Sequence, residues 1–314
     1  MQLINPDLHV DFLGKRKIAM MLSIAMIVLS LGLIVVKGLN FGIDFTGGTL
    51  VEVKFDQPPA ISDVRDAISP KGYGNATIQE FGAADEILIR VQNKDEENSS
   101  TISTAIIDAL GDKFGAEAIE MRRVEFVGPQ VGEELTQAGI LAVLFAMIAI
   151  LIYVTFRFKL RFAIGADAAL LHDITILVGV FALTGKEFTL PVVAAILTVI
   201  GYSLNDTIVV FDRIRENFAF NRKKKKPEDE VDVVNGSINQ TLGRTLMTSV
   251  TTLLVVVALF LFGGEVIHDF AFALIVGILV GTYSSIYIAS PVMLSLEGRF
   301  GASDEEIEEL EARP

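Results

Sequence analysis

The sequence contains no cysteine and only three histidines. Without cysteine there is no disulfide framework, no thiolate metal site and no cysteine nucleophile. Three histidines leave little room for a histidine-rich metal centre. Basic residues are also in the minority, because 26 Lys and Arg stand against 39 Asp and Glu, which gives a net charge of −13. A nucleic-acid partner is therefore not expected, since binding to phosphates requires a positive surface.

Hydrophobic residues make up 51% of the 314 residues, and the mean hydropathy is +0.52. A bilayer core about 30 Å thick is crossed by roughly 20 apolar residues in a helix. Six stretches meet this requirement: Ile18–Val36, Ala138–Phe156, Phe162–Leu183, Phe188–Phe211, Thr245–Phe262 and Phe270–Leu296. The sequence therefore predicts an α-helical integral membrane protein with six transmembrane helices and the lipid bilayer as its surroundings.

Lysine and arginine in the short connections predict the orientation of these spans. Basic clusters precede span one, separate spans two and three, and separate spans four and five, whereas the two alternate connections contain only Lys186. Both termini are therefore expected in the cytoplasm. This assigns residues 1–17 to a cytoplasmic N-terminus, 212–244 to a basic cytoplasmic loop and 297–314 to an acidic cytoplasmic tail. The first span is too long for a signal-peptide core and lacks a cleavage site after it, so we predict an uncleaved span.

Residues 37–137 are expected on the periplasmic side. Alternating or β-branched runs predict four strands, and helical spacing predicts two helices between them. The predicted strands are Thr49–Phe55, Asn75–Phe81, Glu86–Gln92 and Glu120–Val127, and the helices are Ile61–Ser69 and a second one from Asn98 or Ser99 to Phe114. The order β-α-β-β-α-β predicts a small α+β ferredoxin-like domain. That fold defines no function by itself, and the domain surface is either solvated or in contact with another polypeptide.

Two further helix patterns concern packing. Glu228–Leu242 places four apolar residues on one stripe after a run of basic residues, which predicts a helix on the cytoplasmic membrane surface. In span six, Gly277 and Gly281 form a pair of small residues four positions apart, which permits a close approach between helices.

Four ionisable side chains lie well inside a span: Asp167, His172, Asp173 and Asp206. A charge at the bilayer centre costs at least ~2.5–3.5 kcal/mol, so such residues are candidates for function. Asp206 lies about 9 Å from the cytoplasmic end of its span, beside the polar Asn205. Span five begins near Arg244 and Thr248 at the same level.

We therefore predict an ion pathway in which Asp206 and Arg244 form a buried pair in a crevice lined by hydroxyl groups. Burial favours a neutral carboxyl and the guanidinium favours an ionised one, so Asp206 is expected to take up and release a proton. A static structural ion pair is the alternative. Asp173 is a candidate second station on the pathway, whereas His172 is expected to hydrogen-bond within the bundle and Asp167 to be structural.

Catalysis is not expected. Intramembrane aspartyl proteases carry a GxGD signature, whereas Asp206 follows GYSLN in this chain. A rhomboid-type serine protease would require a histidine on a facing span, and His172 already lies beside Asp173. No cofactor is predicted; the ion would be transported H⁺ or Na⁺.

Four motifs resemble the SecD/SecF family of bacterial protein-export membrane proteins, in its SecF branch, which belongs to the resistance-nodulation-division superfamily. They are FGIDFTGG at Phe41–Gly48, VGPQVGEEL at Val127–Leu135, GYSLNDTIVVFDRIRE at Gly201–Glu216 and SINQTLGRTLMTSVTT at Ser237–Thr252. The resemblance extends from span one to span six, and each motif falls where the predicted topology requires it.

The resemblance implies a subunit that pairs with SecD, associates with the SecYEG channel, often with YajC, and uses a cation gradient to help complete the export of unfolded polypeptide across the inner membrane. It also implies that Asp206 is the essential aspartate of span four and Arg244 the arginine of span five. At the FGIDFTGG turn, Asp44 lies outside the bilayer, and Gly47 and Gly48 are expected to shape a bend into the first strand.

Three hypotheses for function remain at this stage. The first is a cation-driven translocation motor in which the charge on Asp206 switches the helix packing and moves the outer domain. The second is a passive scaffold in which Asp206 and Arg244 only join spans four and five. The third is a small-molecule exporter of the same superfamily, although such exporters usually have twelve spans and two large outer domains.

Overall fold

The computed structural model describes residues 9–92 and 99–296. In chain order the elements are α1 (Arg16–Lys37), β1 (Asn40–Phe41), α2 (Ile43–Thr46), β2 (Gly48–Phe55), α3 (Ile61–Ile68), β3 (Thr77–Phe81), β4 (Ala83–Val91), α4 (Ser99–Phe114), β5 (Ile119–Val127), α5 (Pro129–Arg157), α6 (Leu160–Thr184), β6 (Glu187–Phe188), α7 (Leu190–Arg222), α8 (Glu230–Phe262), α9 (Glu265–Ser284) and α10 (Ser290–Ser295). A π-helical segment, Ser285–Ala289, joins α9 to α10. The predicted acidic tail, 297–314, lies outside the described residues.

Six helical stretches among the described residues are long and apolar enough to cross a membrane: α1, α5, α6, α7, α8 and the continuous run Val266–Ser295. The prediction of an α-helical membrane fold is therefore confirmed. About half of the most apolar part of α6, α7 and α9–α10 is buried inside the chain, against 17% or less for α1, α5 and α8. The three central helices therefore form the interior of the bundle, and the other three form its surface.

Residues 48–127 fold into a four-stranded antiparallel sheet with the strand order β3-β4-β2-β5. We call these residues the sheet domain. Its helices α3 and α4 cover one face, where Val51 and Ile89 of the strands pack against Val64 and Ile106 of the helices. The predicted β-α-β-β-α-β order is confirmed, because period-2 and helical apolar patterns determine which side chains face this core.

The connection between α7 and α8 differs from the prediction of a cytoplasmic loop over 212–244 with a helix on the membrane surface. Helix α7 continues to Arg222 and α8 begins at Glu230, so only 223–229 connect them. The predicted apolar stripe is present, but Val234, Ile238 and Leu242 pack in the core of the bundle rather than on lipid. The side chains of Asn235 and Asn239 also bond the backbone of Val10 to Leu13, which anchors the N-terminal segment on α8.

Candidate functional site

Helices α7 and α9 approach each other closely through two glycines. A methyl group on Gly277 would overlap the side chain of Val199, and one on Gly281 would lie 3.0 Å from Cβ of Ser203. The pair of small residues noted in the sequence therefore brings the backbone of α9 against the buried face of α7. This contact places the hydroxyl groups of both helices next to the aspartate of α6.

Asp173 lies at the centre of the bundle, with a relative exposure of 1%. Its Oδ2 accepts hydrogen bonds from Ser203 of α7 at 2.7 Å and from Ser284 of α9 at 2.8 Å. Its Oδ1 lies 2.9 Å from Nδ1 of His172. Three helices therefore meet at one carboxyl group, both oxygens of which have partners.

His172 extends this cluster towards α1. Its ring stacks on Tyr283, with the ring centroids 6.0 Å apart. The Tyr283 hydroxyl donates to the carbonyl oxygen of Ala19 and lies 3.0 Å from Oγ of Ser23. The predicted role of His172 as an internal hydrogen-bonding residue thus agrees with its place in the structure.

Asp206 lies one helical turn beyond Ser203 on α7 and has a relative exposure of 2%. The hydroxyl of Ser249 of α8 is its neighbour, whereas its Oδ2 is buried without a hydrogen-bond partner among the described residues. Ser249 in turn lies 2.7 Å from Oγ1 of Thr282 and accepts a 3.4 Å contact from the hydroxyl of Tyr202. Asp206 is therefore buried beside a group of hydroxyl side chains, while the crevice itself stays a prediction.

The predicted buried pair of Asp206 and Arg244 is not formed. Arg244 is exposed on α8 and makes no ion pair with Asp206, although its charge acts on that carboxyl from a greater distance. Asn205 is likewise exposed, and Thr248 bonds the carbonyl oxygen of Arg244 in its own helix. The reason is geometric, because Ser249 and Thr245 occupy the inward face of α8 and turn Arg244 outwards.

The remaining intramembrane carboxyl is Asp167, which is only partly buried on α6 and whose Oδ1 has no hydrogen-bond partner among the described residues. Within the same residues, no group of three or more His, Cys, Asp or Glu side chains is arranged to hold a metal ion. A cation at this site would therefore have at most two such side chains of the described residues as ligands, together with the hydroxyl groups around them.

Ser284 and Thr282 of α9 are functional candidates that the sequence did not indicate, whereas hydroxyl groups around Asp206 were expected. Ser203 and Ser284 contact Asp173, while Ser249 and Thr282 form the neighbourhood of Asp206. Hydroxyl groups both donate and accept hydrogen bonds, so they can adjust to a carboxyl in either protonation state. The arrangement is chemically suited to carry a proton, or a small cation, between helices.

The FGIDFTGG motif forms the joint between α1 and the sheet domain. Gly47 and Gly48 have φ values of +66° and +132°, and a methyl group on Gly47 would lie 2.9 Å from Cα of Pro129 at the start of α5. Asp44 caps α7, because its Oδ2 accepts a 2.8 Å bond from the backbone N–H of Leu190. The turn therefore contacts α5 and α7 and does more than redirect the chain.

The sheet domain meets the membrane helices at the α6–α7 connection. Strand β6 of this connection pairs in parallel with β1, through Asn40 with Glu187 and Phe41 with Phe188. Glu187 forms an ion pair of 2.5 Å with Arg90 of β4. Burial raises the pKa of Glu187 above its ordinary value, and the nearby charge of Arg90 opposes this shift. These contacts were not predicted from the sequence.

Comparison with known proteins identifies close relatives. Residues 106–299 match the profile described as protein export membrane protein SecD/SecF, C-terminal, and residues 32–59 match the SecD/SecF GG motif. The chain is similar to protein translocase subunit SecF of Vibrio alginolyticus, with 52% identity over 295 residues that cover 94% of this chain and 92% of the relative. It is also similar to the same subunit of Pseudomonas aeruginosa, with 46% identity over 287 residues and 91% of each chain covered.

Two solved structures are similar to this chain. The crystal structure of SecDF, a translocon-associated membrane protein from Thermus thermophilus, matches with a TM-score of 0.84 at 37% identity over 95% of this chain. A structure of SecDF in a super-membrane-facing form matches with a TM-score of 0.68 at 36% identity over the whole chain. The chain spans about 40% of the length of these SecDF chains.

Proposed function

This chain belongs to the SecD/SecF family of protein export membrane proteins and is a multi-pass membrane protein. From that premise we propose that it is a translocase subunit that uses a transmembrane cation gradient to promote late steps of polypeptide export. The observation that carries the proposal is the buried Asp206, which has one oxygen without a hydrogen bond and a hydroxyl group beside it. A carboxyl in that position can exchange a cation, since its ionised form is incompletely compensated.

The mechanism follows from the two charge states of Asp206. When the carboxyl is neutral, its hydrogen bond with Ser249 and its attraction to the distant Arg244 both weaken. The preferred packing of α7 against α8 changes as a result. One elementary charge that crosses 100 mV releases about 2.3 kcal/mol. Because 1.4 kcal/mol corresponds to a tenfold change, this energy biases a two-state element nearly fifty-fold. The N-terminus of α7 adjoins the sheet domain, so this helix provides the route from ion site to sheet domain.

A SecD-type subunit is the partner that we propose for the exposed face of α8. Arg244 and Asn205 lie at membrane level on surfaces that the described residues of this chain leave open. Polar groups at this depth rarely face lipid. The SecDF chains extend well beyond the part that this chain matches, which supports a second polypeptide unit against that face. The SecYEG channel, YajC and the exported polypeptide complete the assembly that the resemblance implies.

The proposed location is the bacterial inner membrane with both termini in the cytoplasm. The support is the clustering of Lys and Arg at one end of the spans, as at Lys15 to Lys17 and Lys223 to Lys226. The sheet domain then lies on the export side, where an emerging chain would meet it.

The test is export of a precursor polypeptide into inverted membrane vesicles that contain Asp206→Asn. We expect the gradient-dependent part of export to be lost while the complex with the SecD-type subunit still assembles. Asp212→Asn is the matched control, because Asp212 is a half-exposed residue of the same helix that pairs with Arg157 and Arg215. Collapsing the proton and sodium gradients separately identifies the ion.

The scaffold hypothesis makes the opposite prediction for the same experiment. A passive scaffold would tolerate Asp206→Asn, because the structure shows no Asp206–Arg244 ion pair that the substitution could break. Normal gradient-dependent export by Asp206→Asn would therefore overturn the motor and favour the scaffold. Relatives named as translocase subunits support a transport role over small-molecule export or catalysis.

A further inference from the structure

The junction between the sheet domain and the membrane helices contains a buried ion pair. Arg90 of β4 has a relative exposure of 5%, and the Glu187 side chain has one of 13%. The two residues lie in different parts of the fold, since Arg90 belongs to the sheet domain and Glu187 to the α6–α7 connection. Few other polar contacts cross this junction: Arg90 donates to the carbonyl oxygen of Phe41 at 3.2 Å, and Gln79 lies 3.5 Å from Glu187.

A second ion pair, between Lys186 and Asp269, fixes the connection next to Glu187 to the membrane helices. Asp269, at the start of α9, accepts a 2.7 Å bond from Lys186 and a 3.1 Å bond from the backbone N–H of Glu187. The connection is thus fixed to α9, whose other end carries Ser284 of the Asp173 cluster. A movement of α9 or α7 in the bundle is therefore transmitted directly to the carboxyl that holds Arg90.

A cleft of about 770 Å³ lies on the other side of Arg90, between β1 and the sheet domain. Its polar lining includes Asn40, Thr46, Thr77 and Gln92, and Arg90 itself lines it. Nε of Arg90 is buried there without a hydrogen-bond partner in the described part of the chain. The sheet domain therefore has space beside the ion pair into which it can rotate, and the joint at Gly47 and Gly48 lies close by.

We propose that Arg90 and Glu187 form a releasable latch, which docks the sheet domain on the α6–α7 connection and which opens and closes during the transport cycle. The proposal rests on the proposed function and assigns to both residues a positioning role in it. In the closed latch the sheet domain follows the bundle; in the open latch it swings about the glycine joint. No other residue pair in the described chain joins these two parts by opposite buried charges.

The chemistry of the pair favours release. Removing two charges from water costs free energy that their attraction offsets only when every hydrogen bond is satisfied. The guanidinium of Arg90 retains an unsatisfied Nε–H, so the closed state is incompletely compensated. A small change in the position of Glu187 is then enough to favour the hydrated, open state.

The decisive experiment locks the closed state. The chain has no cysteine, so Gln79→Cys and Lys186→Cys can be joined specifically by a short bismaleimide with a reducible spacer, which leaves both latch residues intact. The pair is joined from the outer side of spheroplasts, and inverted vesicles are then prepared from the full complex. Because Lys186→Cys also removes the ion pair with Asp269, the reference is the same variant before joining. Relative to that reference we expect at least a tenfold loss of gradient-driven export, which returns when the spacer is reduced.

The matched control is the pair Asp63→Cys and Lys113→Cys, which joins α3 to α4 inside the sheet domain, where the two side chains lie 3.3 Å apart. Joining this pair should leave export unchanged. Normal export by the locked 79–186 pair would overturn the latch, as would failure of that pair to react when the control pair reacts. A static brace would not be affected by the lock, so the experiment separates it from a latch.

Variants of the pair itself supply a second measurement. Arg90→Gln should reduce gradient-driven export several-fold, Arg90→Lys should recover part of it, and the exchange Arg90→Glu with Glu187→Arg should recover more than either single change. Asp206→Asn is measured in parallel. If Asp206→Asn is inactive and the lock is harmless, only the latch fails; if Asp206→Asn retains the gradient response, the proposed function itself fails.

Discussion

The hydroxyl group of Ser203 donates a 2.7 Å hydrogen bond to Oδ2 of Asp173, and so joins α7 to α6 one turn away from Asp206. Ser203 is fully buried and also lies against Gly281 of α9. A change at Asp206 that rotates or shifts α7 therefore alters a bond at Asp173. The two intramembrane carboxyls are connected through one helix, even though they do not touch.

The first prediction concerns this bond. Ser203→Ala removes one of the donors to a buried carboxyl, and we expect the free energy of unfolding to fall by about 1–3 kcal/mol. Thermal unfolding of the purified protein in detergent measures the change. The control is Thr198→Ala on the same helix, whose hydroxyl only bonds its own backbone at Ala194. Equal stability losses in the two variants would contradict the bridging role of Ser203.

The second prediction concerns the close contact of α7 and α9. Gly277→Ala would force its methyl group into Val199, a stiff β-branched side chain, and should destabilise the bundle by about 1–3 kcal/mol. Adding Val199→Ala should recover part of the loss. Gly201→Ala is the control, because a methyl group at that helical position meets no atom within 4 Å; helix propensity predicts no loss there. The same unfolding assay checks all three variants.

The architecture was predictable because periodic patterns determine it. The strands of the sheet domain alternate, and the spans are long uniform apolar runs, so element types and order follow from local sequence. The helix after Glu228 illustrates the limit: its apolar stripe correctly indicated a helix, but not that α7 rather than lipid covers the stripe. A stripe shows that something apolar lies against it and does not identify the neighbour.

The site was only partly predictable for the same reason. Asp173 and Asp206 were found because charge inside an apolar span is rare. Their hydroxyl partners are common residue types in spans, and nothing local shows that Ser284 faces Asp173. The expected ion pair of Asp206 with Arg244 does not form, because the depth of two residues in the membrane does not determine which face of each helix points towards the other. The ion pair of Arg90 with Glu187 depends on docking of two distant parts of the chain, which no local pattern describes.

The third prediction follows from the outward position of Arg244. Arg244→Ala should weaken co-purification with a SecD-type subunit, while the free energy of unfolding of the isolated chain changes by no more than about 0.5 kcal/mol. Arg213→Ala is the matched control, since that half-exposed arginine bonds Gln240 and Glu216 within the chain. If Arg244→Ala instead lowers the free energy of unfolding by more than this amount and leaves the association intact, the side chain has an internal role that this arrangement does not provide.

The fourth prediction concerns pH and the docking of the sheet domain. Burial raises the pKa of Glu187 above its ordinary value of 4.5; the charge of Arg90 opposes this, and the charges of Asp269 and Asp44 add to it. Lys186, the adjacent cation, is already paired with Asp269. Undocking would hydrate Glu187 and return its pKa towards 4.5, so the docked state binds the proton more tightly. Docking should therefore strengthen as the pH falls from the raised pKa towards 4.5, and weaken as it rises through that window.

Pulsed electron-spin distance measurements test this prediction, with labels on Asp66→Cys in the sheet domain and Val266→Cys at the start of α9, both exposed sites. The docked fraction should increase on acidification. Arg90→Gln removes the charge that lowers the pKa of Glu187, so the midpoint should move to higher pH and docking at neutral pH should decrease. Glu187→Gln, which cannot ionise, should abolish this pH dependence. A docked fraction that falls on acidification would contradict this prediction. It would show that attraction to Arg90 outweighs burial, because protonation of Glu187 would then break an ion pair that stabilises docking.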